Sequence, residues 1–596
     1  MFAAVHMDKN EAADQWDEFV IDDDSDEWEG SNIGVSPELV SEAKRKELLQ
    51  LKARGTYDVV PRQQMKDHVG AGFVQVRWVI VNQGSVEAPR VKARLVAKEF
   101  RRREGAEDMF SGTPGLAGIR YLLSDLATNN RGRILMTGDV TGAFLYGDMT
   151  RDVYIALPPE ANAPDSVGYL RKSLYGLRDA PQIWKAHLVS TLKKVGFEES
   201  PTMPGILRHE AREIKVSAHV DDVLCSGLEA NLKWLQKVLQ GEYEMKFSLV
   251  GPRHDHEISY LNRTIRWGED SIEWIAHDKH VKMLLKDYGL EEGRPVNTPT
   301  LTALLGANGG VPMNQEESKK FRAAAARLNY VAQDRADLSV IACVPAMRMG
   351  TPMEGDQAIT KRACRYLRQR PVAILDFKWQ TISDEEKARL DLFTDSDWAT
   401  CTSTRKSRSG GVIMRGVHSI HWWCKTQDRI ARSSAEAELQ STCKGLAEVI
   451  GLKQVVDFVS GMKFAITLTI DAQATFGLLL RQGAGALKYL DIRTFWIQEA
   501  LKEWAVGVYK VPRKHNVADA LCSVPTMPEW DEHLTNMGWR YPDTDTAALS
   551  LTMFDSRGSK LVNLVPFDQG KEVMLLETVT ASSFQDGETD NSIYSV

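Results

Sequence analysis

Asp139 closes the apolar run ILMTGDV, and Asp221 and Asp222 stand side by side between two apolar arms, IKVSAH and VLCSG. Carboxylates meeting within about 4 Å repel by roughly 4 kcal/mol per pair at an effective dielectric near 20, so such a set persists only with cations among them. Hard oxygen ligands select Mg2+ or Mn2+. Two such ions, about 3.5–4 Å apart, suit activation of a sugar hydroxyl and stabilisation of a leaving pyrophosphate. Taken alone, an Asp-Asp pair in a turn is more commonly a solvated turn, and its meaning depends on what surrounds it.

A second set lies further along the chain. Asp395, Glu438, Asp471 and Asp519 fall on a predicted strand, helix, strand and helix start. Four acids brought from four elements to one place again describe a site for two metal ions, here suited to activating water against a phosphodiester. Periodicity leaves two choices open: Asp395 and Asp397 share one strand face, and Glu436 and Glu438 lie on different faces of one helix. His515 sits on a loop four residues before Asp519, where an imidazole can shuttle protons near neutral pH.

The elements that must position these groups are legible as strands and helices in alternation. SPELVSEAKRKELLQLKARG reads as a helix capped at Ser36, with Pro37 at its first position and Gly55 past its end. FVQVRWVIV alternates as a strand does, and RVKARLVAKEF extends the sheet. IRYLLSDLATN returns to a helical period. From LDLFTDSDW a second unit begins: GGVIMRGVHSIHWW is a hairpin, and a long amphipathic helix follows with Leu439, Cys443, Leu446 and Ile450 on its buried face. FAITLTID is a further strand, and VGVYKVPRKHNVADAL reads as strand, loop and helix start. The expected class is α+β and α/β, in more than one domain.

At 596 residues the chain is too long for one hydrophobic core. Its seven cysteines lie between Cys225 and Cys522 with no C-x-x-C pair, which argues for reduced thiols rather than a disulfide framework or zinc ribbon. No apolar run is long enough to span a membrane, and the first residues carry no secretory or import pattern, so an intracellular (cytoplasmic or nuclear) setting is expected. The formal charge of −7 is unevenly spread: residues 1–30 hold eleven acids against Lys9, and residues 541–596 hold nine acids against three bases. The body between them carries +9, a balance suited to a polyanionic partner. Residues 1–35 and 526–596 are expected to be acidic tails of low order.

The blocks RVKARLVAKEF, TGDVTGAFLYGDM, DVYIALPPE, LRKSLYGLRDAPQIW and AHVDDVLCSG, in that order, closely resemble the reverse transcriptase of copia-type LTR retrotransposon Pol polyproteins. The resemblance implies a right hand of fingers, palm and thumb over residues 36–380, with Asp139, Asp221 and Asp222 as the metal-binding polymerase triad. It further implies that Lys92 and Arg94 bind the nucleotide triphosphate and that Phe144 abuts its sugar. Gly176, Asp179 and Pro181 would lie in the block shaping the template and nucleotide pocket. FTDSDWATCTSTRKSRSGGVIM, IARSSAEAELQS, LTIDAQA, LKYLDIRTFWIQE and HNVADAL resemble the same family's RNase H domain, over residues 388–525. That likeness favours Asp395 and Glu438 within the two open pairs, joined by Asp471 and Asp519, and marks Lys488, Tyr489, Asp491 and Arg493 as a further family block.

Three residues depart from the family pattern. His219 stands where an aromatic is usual, Glu99 where Gly is usual in the fingers block, and Asp179 where Gln is usual, placing a negative charge near the expected triphosphate. The expected function is an RNA-directed DNA polymerase joined to a ribonuclease H, using Mg2+ or Mn2+ and acting on an RNA template, a DNA primer, dNTP and the RNA–DNA hybrid. The alternative, motivated by the three departures, is a decayed or repurposed retroelement product that binds nucleic acid or protein without catalysis.

Overall fold

The computed structural model describes residues 35–542 except 85–87, 100–112, 307–308, 384–387 and 484–494. The acidic stretches 1–34 and 543–596, and the block from Lys488 to Arg493, lie outside the described residues.

Helix α1 (Pro37–Ala53) begins as its sequence dictates: the Ser36 side chain accepts from the Leu39 amide, and Gly55 leaves the helix at φ +62°. The alternating run that follows forms two strands rather than one. β2 (Gly72–Val74) joins β1 (Tyr57–Pro61), β6 (Val153–Ala156) and β7 (Ser166–Leu170) in a sheet of order β1-β7-β6-β2. β3 (Val76–Asn82) turns away and, among the described residues, pairs only with β4 (Val91–Ala97), as an antiparallel hairpin covered by α1 through Leu51 and Glu47.

The first carboxylate set sits on an antiparallel sheet. Its order is β12 (Met245–Val250), β5 (Arg133–Val140), β11 (Asp222–Leu228), β10 (Ile214–His219), β9 (Ile206–His209), β8 (Glu198–Glu199). The two-residue period of β5 sends Ile134 and Met136 to one face and Leu135 to the other. On the first face they meet α3 (Ala180–Lys194) and α4 (Glu229–Glu242) through Trp184, Leu188, Leu232 and Leu235. On the second, Leu135 and Leu224 pack on α2 (Leu116–Ala127).

Three strands, β13 (Glu257–Tyr260), β14 (Arg263–Trp267) and β15 (Ser271–Ala276), then form a meander that β16 (Ile374–Lys378) extends. Between β15 and β16 the chain makes a helical layer of α5 (Lys279–Tyr288), α6 (Gln315–Ala332), α7 (Ser339–Arg348) and α8 (Gln357–Gln369), with its own core around Leu284, Leu328, Ile341 and Leu367.

The second set sits on a mixed sheet of order β19-β18-β17-β20-β21: β17 (Arg389–Ser396), β18 (Arg408–Arg415) and β19 (His418–Thr426) are antiparallel, while β20 (Ala465–Ile470) and β21 (Gly507–Lys510) run parallel to β17. Helix α9 (Ser434–Ser460) packs on β17 and β18 with Leu439, Leu446 and Ile450 buried and Cys443 half-buried. Gly445 permits the close approach, since a Cβ there would lie 2.5 Å from Thr394 Cγ2. The mixed α/β class expected from the sequence is the class the chain adopts. Among the described residues no helix is long and apolar enough to cross a membrane.

The two sheets bearing the carboxylates share one continuous core that joins α2, β13–β16 and β17–β20. At the joint, the His418 Nε2 proton is donated to the Lys378 carbonyl at 2.8 Å, which leaves Nδ1 to accept from the Ser124 hydroxyl at 2.9 Å. Order also runs past the expected limit at residue 525. Helix α10 (Met527–Asn536) buries Trp530 and Leu534, and β22 (Trp539–Arg540) pairs with Ile374 and Leu375 of β16. The expectation of low order there rested on sparse apolar residues, but Trp530, Leu534, Met537, Trp539 and Tyr541 enter the shared core.

Candidate active sites

The register of β5 and β11 sets Asp222 directly opposite Asp139, and the turn joining β10 to β11 carries Asp221. Val220 in that turn has φ +52°, a conformation that costs a β-branched residue of order 1–3 kcal/mol. The Trp184 indole donates to the Val220 carbonyl at 2.5 Å, and the Val140 amide donates to the Asp221 carbonyl at 3.0 Å. Those two bonds hold the strained turn over the end of β5. Asp139 is exposed, whereas Asp221 and Asp222 are half-buried.

Burial, followed by the charges of Asp221 and Asp139, pushes Asp222 up to about 7. Burial and Asp139 also raise Asp221, and the cations Arg94 and Lys92 oppose that rise. Burial and Arg94 lower Lys92, with Glu47, Asp139 and Asp221 acting in the opposite sense. The structure thus brings Lys92 of β4 within electrostatic reach of Asp139 and Asp221, and Arg94 within reach of Asp221. Arg94 lies over the Tyr175 ring at 5.1 Å, and Phe144 meets the same ring edge-on at 5.4 Å. Gly176 has φ +82°, and a Cβ there would fall 2.1 Å from the Ala97 carbonyl, so only glycine lets this loop lie against β4. Pro181 occupies the first turn of α3.

The departures from the family pattern have partners. Burial pushes His219 down to about 4, so near neutral pH it is an uncharged ring, as an aromatic would be. Asp179, expected to present a free charge near the triphosphate, is instead 5% exposed and bonded by Arg151, Nε to Oδ2 at 2.7 Å and Nη2 to Oδ1 at 3.1 Å. Glu99 takes the same guanidinium, Nη2 to Oε2 at 2.8 Å.

In the second centre, Asp395 comes from the end of β17, Glu438 from the first turns of α9 and Asp471 from the residue after β20. Their oxygens gather within 4.8 Å of one another. Burial, then Asp471 and Asp519, pushes Asp395 up to about 8; burial, then Asp395 and Asp471, pushes Glu438 up to about 9. Glu438 Oε1 accepts from the Ser396 amide at 3.2 Å, while its buried Oε2 has no hydrogen-bond partner among the described residues. Three crowded carboxylates with an orphaned oxygen among them fit a hard divalent cation such as Mg2+ or Mn2+. Asp519 is buried on the turn Val517–Leu521, where Arg513 pairs with it at 3.0 Å. His515 is half-buried on the neighbouring turn, Arg513–His515.

The two open pairs separate by what each acid touches. Asp397 is committed to Arg408 and Thr400, and Glu436 accepts from the Arg432 amide at 2.7 Å, so neither joins the cluster. Several participants were not singled out in the sequence. Cys522 places its thiol 2.8 Å from Asp395 Oδ2, and Asn516 donates to the Thr394 carbonyl at 3.0 Å, tying the Asp519 turn to β17. Glu47 of α1 is buried near Lys92 and Arg94, and Arg151 joins two acids from distant segments. The helical spacing that puts Glu47 and Leu51 on one face was the one available signal.

Residues 55–302 match the family model described as reverse transcriptase (RNA-dependent DNA polymerase). The chain is 26% identical over 499 residues to the retrovirus-related Pol polyprotein from transposon TNT 1-94 of Nicotiana tabacum, covering 81% of this chain and 36% of that protein. It is 29% identical over 405 residues to the Pol polyprotein from transposon RE2 of Arabidopsis thaliana, covering 66% of this chain and 26% of the other. It therefore spans about a third or less of the length of these relatives. Among solved structures, a foamy viral protease-reverse transcriptase in complex with double-stranded DNA aligns over 81% of this chain and 71% of that one, at 12% identity and a TM-score of 0.23, an overlap too small to bear on the fold.

Proposed function

From the match of residues 55–302 to the reverse transcriptase model and the likeness to the Pol polyproteins of copia-type retrotransposons, we propose that the chain is an RNA-directed DNA polymerase joined to a ribonuclease H. The polymerase, of right-hand form, occupies residues 36–380. The nuclease occupies residues 388–525, followed by α10 and β22. The observation that carries the reading is the second centre: three carboxylates from strand, helix and strand, drawn within 4.8 Å and held above their usual pKa range.

At the polymerase centre, Asp139, Asp221 and Asp222 would hold the divalent ions that activate the primer hydroxyl and stabilise the pyrophosphate. Lys92 and Arg94 take the triphosphate oxygens as fixed donors, and Tyr175 orients Arg94 beneath them. Phe144, braced on Tyr175, borders the sugar. At the nuclease centre, Asp395, Glu438, Asp471 and Asp519 would hold divalent ions, which would supply activation of a water against the RNA backbone. His515 carries protons at its edge, and Cys522 donates to Asp395 to fix the carboxylate's rotamer.

Primer extension on an RNA template and cleavage of an RNA–DNA hybrid, each with Mg2+ or Mn2+, test the proposal directly. Both activities are expected from the purified chain. Hybrid binding with neither activity would replace the reading with a nucleic-acid-binding product that has lost its chemistry.

A further inference from the structure

Glu99, Arg151 and Asp179 come from three separate segments. Glu99 lies two residues past β4, Arg151 two residues before β6, and Asp179 at the start of α3. Glu99 and Asp179 are the acids expected to impair a nucleotide site, yet one guanidinium engages both. Its Nε and Nη2 hold the two oxygens of Asp179, and Nη2 also holds Glu99 Oε2. Glu99 Oε2 further accepts the Arg178 amide at 2.9 Å. The side chain of Asp179 is 8% exposed and that of Glu99 19%, so neither charge has free access to water.

The acids stand at one end of a seam between the β3–β4 hairpin and the loop that leads into α3. At the other end the Ala97 amide donates to the Tyr175 carbonyl at 2.7 Å, and Gly176 lies against Ala97. Lys92 and Arg94 are carried by the strand that forms one side of this seam, and Tyr175 by the loop that forms the other. A planar fork can bond two carboxylates at once, which an ammonium on a flexible stem does less well. Without the arginine, Asp179 would lose the guanidinium that balances its buried charge, and Glu99 would keep only the Arg178 amide.

We propose that Glu99, Arg151 and Asp179 act as one ionic clasp that fixes the β3–β4 hairpin against the start of α3 and so sets the grip of Lys92 and Arg94 on an incoming nucleoside triphosphate. The three are positioning residues, and this role rests on the polymerase reading. It reverses the effect expected of Asp179 from sequence. Asp179→Gln does not relieve repulsion of the triphosphate; it unpairs Arg151 and loosens the seam.

The test is a double-mutant cycle on Glu99→Gln and Asp179→Gln, with Arg151→Met beside it, read by steady-state extension across a dNTP series and by thermal unfolding. Each single acid change should raise KM for dNTP about fivefold with kcat little changed, and the pair together should do no more than either alone. Arg151→Met should cost most, and combining it with both acid changes should recover most of the loss. Hybrid cleavage stays at the parent level throughout, which reports an intact fold. A lowered KM in Asp179→Gln, or strictly additive effects in both KM and unfolding temperature, would overturn the clasp. A parent chain that fails to extend a primer removes the polymerase reading instead, and the unfolding cycle still decides whether the three residues act as a unit.

Discussion

At the Asp395 centre three carboxylates reach one another within 4.8 Å on the ends of buried elements, with two of them pushed to about 8 and about 9. At the Asp139 centre two half-buried acids stand at the β10–β11 turn beside the exposed Asp139 of β5, and Lys92 and Arg94 lie close to Asp221. The first arrangement is a buried, closely drawn set in which burial and mutual repulsion favour the protonated carboxyls, and which, on the proposed reading, a divalent cation would relieve. The second is a more open set whose charges are partly balanced by Lys92 and Arg94, and on the proposed reading nucleotide and metal would complete it together. One chain thus contains a closely drawn and a more open carboxylate set, on sheets that share a core.

The largest test of that separation is ligand removal. Glu438→Gln should lower hybrid cleavage at least a hundredfold, since even the partners of metal ligands are worth about 10–100-fold, and should leave extension unchanged. Asp222→Asn should do the reverse. Loss of both activities in either folded variant would break the comparison.

Metal binding without substrate sharpens it. Mn2+ at about a hundred times its dissociation constant should stabilise the chain by about 2.7 kcal/mol through the closely drawn set. The rise in unfolding temperature should vanish in Glu438→Gln and persist in Asp222→Asn, and a rise lost only in Asp222→Asn would invert the assignment of which centre takes the ion without substrate.

The shared core supplies the next prediction. Burial pushes His418 down to about 3, against about 6.5 in the unfolded chain. The unfolded state therefore binds more protons between those values, and stability should fall as pH drops below about 6.5, at about 1.4 kcal/mol per unit. Both activities should decay together on acid exposure, and His418→Gln should flatten that part of the stability profile. A profile unchanged by the substitution would place the acid sensitivity elsewhere.

The smallest expected effect lies beside Asp395. Cys522→Ala removes the donor to Asp395 Oδ2 and should reduce hybrid cleavage about tenfold, with extension as the control. Full nuclease activity would show that the aspartate needs no such support.

What could be read from sequence follows from how far each signal reaches. The strands under Asp139 and Asp395, the Ser36 cap and the buried face of α9 are local patterns, set by the two-residue and 3.6-residue periods. Periodicity left Asp395 against Asp397 and Glu436 against Glu438 open, because it says which face a residue occupies and not which partner engages it. Arg408 and the Arg432 amide are those partners. Arg151 was invisible for the same reason: it meets residues 52 and 28 positions away, and each acid read alone looked like an unbalanced charge. The split of one alternating run into β2 and β3 likewise turns on tertiary pairing, since both halves alternate equally well.

Strand β22 makes the order of synthesis matter. Leu375 must wait for Trp539 before the edge of β16 is covered, so a ribosome completes the Asp139-bearing half of the molecule long before its last sheet can close. In that interval β16 presents unpaired main-chain groups, the kind of edge that recruits other chains. A translation product stopped at residue 525 keeps every carboxylate of both centres, yet it should emerge with that edge permanently open and aggregate as a nascent chain, a vulnerability of biogenesis rather than of chemistry.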